Sequence, residues 1–177
     1  LRGIEYVCGQ LDIRTNTTAM TKFKLTPIKI KGKLADPKAY ARAIENTLNA
    51  SALAAKADFG TTTQRWEHKP TFGIESKPGK RTVATDDQIF QWVDEGTRAH
   101  EVRPRNKRRL AVRGGYRAKT SPGVIGSRAG GASGNWRSAK VVRHPGTRAR
   151  RFSDAIQTKW DKELPVTLQR AINAEND

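Results

Sequence analysis

Fifty-five consecutive residues, Thr97 to Arg151, hold sixteen lysines and arginines and a single acid, Glu101. Their surplus of fifteen is nearly all of the formal charge of +17, so the rest of the chain is close to neutral. Like charges at that density repel one another in a compact core and favour a polyanion or an acidic protein face. The segment therefore reads as a long, positively charged loop carried by a small folded body. The 177 residues allow one domain with a modest core plus extensions, and a hydrophobic share of 36% is low for a wholly globular chain. Such a layout suits a protein that sits against other molecules rather than one built around an active site.

Two short phrases bracket the segment. One runs from Phe90 through Trp92, Val93, Asp94 and Glu95 into Gly96-Thr97, the other from Val142 through His144 and Pro145 into Gly146-Thr147 and on to Arg151-Phe152. Each is an apolar element that enters a Gly-Thr turn and then basic sequence. Glycine supplies backbone angles that other residues resist, and Pro145 fixes φ beside the second turn. Gly96, Thr97, Pro145, Gly146 and Thr147 are thus structural turn residues. The two turns are expected to meet and shape one rim of the domain.

Local patterns give an element order. Residues 23–26 and 28–31 alternate apolar and polar, the period of a strand with one buried face. Asp36-Pro37 is a helix start, followed by Tyr40, Ile44 and Leu48 at four-residue spacing, and a helix is expected from Pro37 to Asp58 with Gly60 ending it. Thr61 to Trp66 reads as a strand. Strands at 71–76 and 81–84 flank Pro78-Gly79 as a hairpin. Asp86 or Asp87 caps a short helix that Gly96 stops. Short strands are expected at 99–104, 110–112 and 139–142. Gly114 to Gly134 holds seven glycines without periodicity and reads as a long loop. Ser153 is expected to cap a C-terminal helix with Ile156, Trp160, Leu164, Leu168 and Ile172 on one face, kinked or divided at Pro165. The fold class expected is α+β, an antiparallel sheet packed against two long helices. Residues 1–35 form an N-terminal arm or strand extension. Residues 36–177 form a single α+β domain with the basic insertion at 103–138.

Catalytic patterns are missing. The chain has no P-loop, no G-x-S-x-G and no H-E-x-x-H. His68, His100 and His144 stand far apart in sequence without ligand spacing, Cys8 is alone, and no disulfide, metal, cofactor or enzymatic activity is expected. Asp94 and Glu95 are expected to cap or to pair with Arg98. No apolar run reaches the length of a membrane helix, and Leu1 to Ala19 lacks the apolar core of a signal peptide.

The basic run Arg103, Arg105, Lys107, Arg108, Arg109 and Arg113 has two readings. It contacts phosphates while the glycine-rich loop wraps a duplex, or it meets an acidic face on a partner protein. Trp136, just after the glycines, is a candidate partner-facing anchor.

The order of these phrases resembles the tail-completion (neck, head–tail joining) proteins of long-tailed bacteriophages. The residues that carry the likeness are Phe90, Trp92, Val93, Glu95, Gly96 and Thr97, then His144, Pro145, Gly146, Thr147, Arg151 and Phe152. It spans roughly residues 36–173. The family often has Pro-Phe where this chain has Arg151-Phe152, the segment between the phrases is unusually basic, and residues 1–35 match nothing in the family. The resemblance implies a virion protein assembled in the host cytoplasm as a homo-oligomeric ring, six copies in number. Its neighbours would be head-completion or connector proteins and tail-terminator or tail-tube proteins, with packaged double-stranded DNA close by. A stand-alone basic nucleic-acid-binding protein is the alternative.

Overall fold

The computed structural model describes residues 10–15 and 36–175. Cys8 and the alternating patterns at 23–31 lie outside them. In chain order the elements are β1 (Gln10–Thr15), α1 (Pro37–Thr63), β2 (Gly73–Lys77), β3 (Lys80–Thr85) and α2 (Gln88–Glu95). There follow β4 (His100–Val102), β5 (Leu110–Arg113), β6 (Trp136–Ala139), β7 (Val142–His144) and α3 (Phe152–Ala174). The fold is α+β, with two long helices and one short one among the described residues. In place of the single antiparallel sheet expected from sequence, the described residues form three small sheets, and the largest, ordered β1-β3-β2, is mixed because β1 runs parallel to β3. The chain between β1 and β3 is long enough for the crossover that a parallel pair needs.

The described chain divides into two compact units. One takes in the described residues up to Phe59, then Thr71–Asp86, and the chain from Ser153 onward; the other comprises Gly60–Pro70 and Asp87–Phe152.

In the first unit, α1 buries Leu48, Ala52, Ala55 and Phe59, and α3 buries Ile156, Trp160, Leu164, Leu168 and Ile172. These are the three- and four-residue spacings of one helix face. Asp58 on α1 accepts from Lys159 Nζ at 2.8 Å and from Trp160 Nε1 at 2.9 Å, and so ties α1 to α3. Phe59 stacks on Phe72 with ring centroids 4.8 Å apart. The β2–β3 hairpin turns at Pro78-Gly79 as expected. It carries Arg81, only 6% exposed. A buried cation must be paired, and Arg81 donates to Asn49 Oδ1, to the carbonyls of Lys77 (2.7 Å) and Lys80 (2.9 Å), and to Glu45. Glu45 also accepts from Gly79 N–H at 2.8 Å.

The second unit is built on an aromatic cluster. Phe90 and Phe152 are fully buried with ring centroids 5.5 Å apart, and Trp66 lies 6.2 Å from Phe90 and 6.0 Å from Phe152. Asp87 caps α2 by accepting from Phe90 N–H at 2.7 Å, as the Asp86-Asp87 pair suggested. Asp87 also pairs with His68. Burial would raise the Asp87 carboxyl, but the His68 bond and the amides of Phe90 and Ile89 outweigh it and hold the group below its ordinary value.

Three local expectations change, and α3 is undivided at Pro165. Helix α1 runs through Gly60 to Thr63, so 61–66 is not a strand. Thr63 Oγ1 donates back to the Gly60 carbonyl at 3.4 Å, and Thr62 is fully buried, so side-chain bonding and packing override the β preference of the three threonines. Ser153 does not cap α3; the helix begins at Phe152, whose N–H donates to Asp94 Oδ1 at 2.7 Å. Pro165 lies inside α3, which continues on either side of it. The strand at 139–142 is two strands, because the chain leaves one ladder at Ala139 and joins another at Val142.

Two measurements check these anchors. Asp94 is 4% exposed, and Asp94→Ala leaves the buried Phe152 N–H without its acceptor. Urea unfolding is expected to show a loss of about 1–3 kcal/mol. The Gly79 N–H bond, opposed by burial and aided by Arg81, holds the Glu45 carboxyl below its ordinary value of 4.5. A depressed carboxylate contributes stability that is present above its unfolded pKa and lost as pH falls through its folded pKa. Stability is therefore expected to fall with acidification below about pH 4.5, and Glu45→Gln is expected to make that fall shallower in denaturant titrations from about pH 6 to pH 3.

Candidate functional site

The two Gly-Thr turns meet. Thr97 N–H donates to the Thr147 carbonyl at 2.9 Å, and Thr147 N–H donates to the Thr97 carbonyl at 3.1 Å and to Thr97 Oγ1 at 2.9 Å. Gly96 has φ +83 and Gly146 has φ +91, the region that favours glycine. A Cβ on Gly96 would come within 2.6 Å of the Thr147 oxygen, and one on Gly146 within 2.9 Å of the Arg98 carbonyl carbon. The backbones therefore cross at a spacing that only glycines permit. Pro145 is exposed beside the crossing. The same two phrases are joined again at Asp94, whose carbonyl accepts from Arg150 N–H and Arg151 N–H, both at 3.0 Å.

From this crossing the basic segment runs out and back as one antiparallel ribbon. The β4–β7 ladder pairs His100 with His144 and Val102 with Val142. The β5–β6 ladder pairs Leu110 with Ala139 and Arg113 with Trp136. Beyond it the glycine-rich stretch keeps pairing: Gly134 N–H donates to Gly114 (2.9 Å), Arg117 and Gly131 exchange two bonds (3.0 and 2.7 Å), and Arg128 N–H donates to Lys119 (2.8 Å). Its tip is tied down. Gly126 N–H donates to Thr62 Oγ1 at 3.1 Å, and Gly123 N–H to the Arg150 carbonyl at 2.6 Å. The stretch that reads in sequence as an unstructured loop is thus held at both ends.

Residues 103–109 face only Lys140 and Val141 across the ribbon, so the basic run is extruded as a bulge between the two ladders. Arg105, Lys107 and Arg108 are exposed there and make no side-chain hydrogen bond or ion pair among the described residues. The other predicted site residues are exposed but engaged. Arg103 pairs with Glu101 at 2.8 Å, and the same carboxylate meets Arg143 at 3.6 Å. Arg109 donates to Ser138 Oγ (2.8 Å) and to the Ser138 carbonyl (3.1 Å) across the hairpin. Arg113 donates through Nε to the Gly134 carbonyl at 2.8 Å and lies 6.0 Å from the centroid of the Trp136 ring. Trp136 itself is 69% exposed.

The fold also pairs groups that no local pattern joins. His100 and His144 face each other across the β4–β7 ladder with ring centroids 5.0 Å apart. His100 Nδ1 lies 2.9 Å from the Arg98 carbonyl, and Gly146 N–H donates to His144 Nδ1 at 3.1 Å. Among the described residues no group of three or more His, Cys, Asp or Glu is placed to hold a metal ion, and no helix is long and apolar enough to cross a membrane. Asp94 escaped sequence reasoning in its main role, because the helix it caps begins 58 residues later.

Comparison with protein families, curated proteins and solved structures finds no match for this chain.

Gly146→Ala is expected to destabilise the chain by about 2 kcal/mol or more, since strain and steric overlap act together. Gly123→Ala, at φ +67 with open space around its Cβ position, is expected to cost about 1 kcal/mol. Denaturant unfolding of both variants checks the ranking.

Proposed function

We propose that this chain is a structural protein of a tailed-phage virion, a ring component of the neck at the junction of head and tail, without enzymatic activity. The observation that carries the reading is the union of the two phrases that bear the family likeness. Gly96-Thr97 and Gly146-Thr147 bond to each other, and Asp94 caps the helix at Phe152. Residues far apart in sequence that resemble one family pattern thereby act as a single framework. The framework presents a cationic ribbon, which suits a subunit lying beside packaged double-stranded DNA or against acidic faces of connector, tail-terminator or tail-tube neighbours. Ring closure calls for heterologous contacts between copies, six in this reading.

A second reading is favoured by one observation, the exposed cations Arg105, Lys107 and Arg108, which are unpaired among the described residues. They suit a basic nucleic-acid-binding protein that works as a monomer.

Native mass measured after nuclease treatment in high salt separates the two. A discrete closed oligomer is expected. A monomer at all concentrations, coupled with tight and strongly salt-dependent duplex binding, would replace the neck reading with the second one. In either case, reversing charge at Arg105, Arg108 and Arg109 is expected to weaken duplex binding and flatten its salt dependence by roughly one unit of slope per lost phosphate contact.

A further inference from the structure

The two faces of the β5–β6 hairpin differ sharply. Leu110, Val112 and Ala139 are half-buried on one side, which also carries the exposed Arg137. The other side carries Ala111, Arg113, Trp136 and Ser138, all exposed. Arg109 joins that side through its two bonds to Ser138. The outward face therefore holds a large indole with a guanidinium above it at one end and a second guanidinium at the other. Three residues lie between the two arginines, which puts them about 13 Å apart along an extended chain.

Arg109 is held by the hydroxyl and carbonyl of Ser138 on β6 and Arg113 by the Gly134 carbonyl just before that strand, and each keeps terminal N–H groups without an acceptor among the described residues. Pre-positioned cations of that kind lose little freedom when they meet a phosphate. Trp136 stays 69% exposed although Arg113 lies against it, and Tyr116, just beyond β5, is 68% exposed. Large exposed aromatics on a folded ribbon cost hydrophobic stabilisation unless something stacks on them.

We infer that this face is a stacking ledge for single-stranded nucleic acid. Trp136 receives an unstacked base, while Arg113 and Arg109 neutralise phosphates on either side. Charge selects the class of partner: the ribbon belongs to a segment with fifteen surplus cations, which a polyanion complements. The indole selects the form, because bases in a duplex are already stacked on one another and do not offer their faces to it. The bulge at Arg105, Lys107 and Arg108 supplies further cations without aromatics, and so adds affinity for any polyanion but no preference for single strands. This inference stands apart from the neck reading, since it concerns one hairpin and not the assembly of copies.

The test uses the full chain, freed of nucleic acid, and labelled oligo-dT of about 20 nucleotides against a duplex of equal length. Trp136→Ala is expected to weaken oligo-dT binding by roughly 5- to 150-fold and to change duplex binding by less than about twofold. Trp136→Phe is expected to restore most of the oligo-dT affinity. Because the indole is exposed, both variants should keep the far-ultraviolet circular dichroism of the parent. Equal loss on both nucleic acids, no loss on either, or no oligo-dT binding by the parent would overturn the inference. So would displacement of oligo-dT by polyglutamate at equal charge concentration, which would assign the face to an acidic protein.

Discussion

The second unit depends on the closure between Thr97 and Thr147. Bringing together the ends of a chain of about fifty residues costs roughly 3.5 kcal/mol plus a constant. The hydrogen bonds of the bridge return only about 0.5–1.5 kcal/mol each. The crossing therefore cannot stand alone. It is held by Asp94, which fastens Arg150, Arg151 and Phe152 to the end of α2, and by the burial of Phe90 against Phe152. Once those are in place, the remaining ladders close short loops nested inside an existing one, and each adds bonds at small further entropic cost. Electrostatic repulsion acts on the same scheme. The ribbon keeps most of its cations outside and extrudes the densest run, residues 103–109, where the two ladders fall out of step.

Buried charge is handled the same way in both units, by giving each group several partners from elements distant in sequence. Arg81 satisfies its guanidinium on α1 and on the turn of its own hairpin. Asp94 accepts with its side chain from one helix start and with its carbonyl from the residues before it. Removing one partner would strand a buried polar group, so these residues fix geometry more than they add net stability.

Much of the fold is legible in the sequence where a local rule applies. Asp36-Pro37 starts α1, Pro78-Gly79 turns a hairpin, Asp87 caps α2 and Gly96 ends it, since each depends on backbone preferences of a few neighbouring residues. The four-residue apolar spacing on α3 correctly marks its buried face. Local rules fail where a distant group supplies the missing bond. Thr61 to Thr63 looks like a strand until Thr62 is buried and bonded to Gly126. Ser153 looks like a cap until Asp94 takes the role. For the candidate site, the charge and the exposed Trp136 were legible. The pairing of the glycine-rich stretch was not, because it is made by backbone groups, and glycines leave no side-chain alternation to read.

The sequence by itself determined that the chain has a modest core, a nearly neutral body and one intensely basic segment bounded by two glycine-threonine turns. Composition and turn chemistry suffice for that, since they follow from residue identity. Only the tertiary structure decided that the turns cross, that the basic segment is a zipped ribbon with its tip tied to Thr62 and Arg150, and that Arg109, Arg113 and Trp136 share one face. The reason is physical. Strand register and long-range capping arise from backbone hydrogen bonds between segments tens of residues apart, and the free energy of those bonds depends on closure and burial rather than on any local pattern.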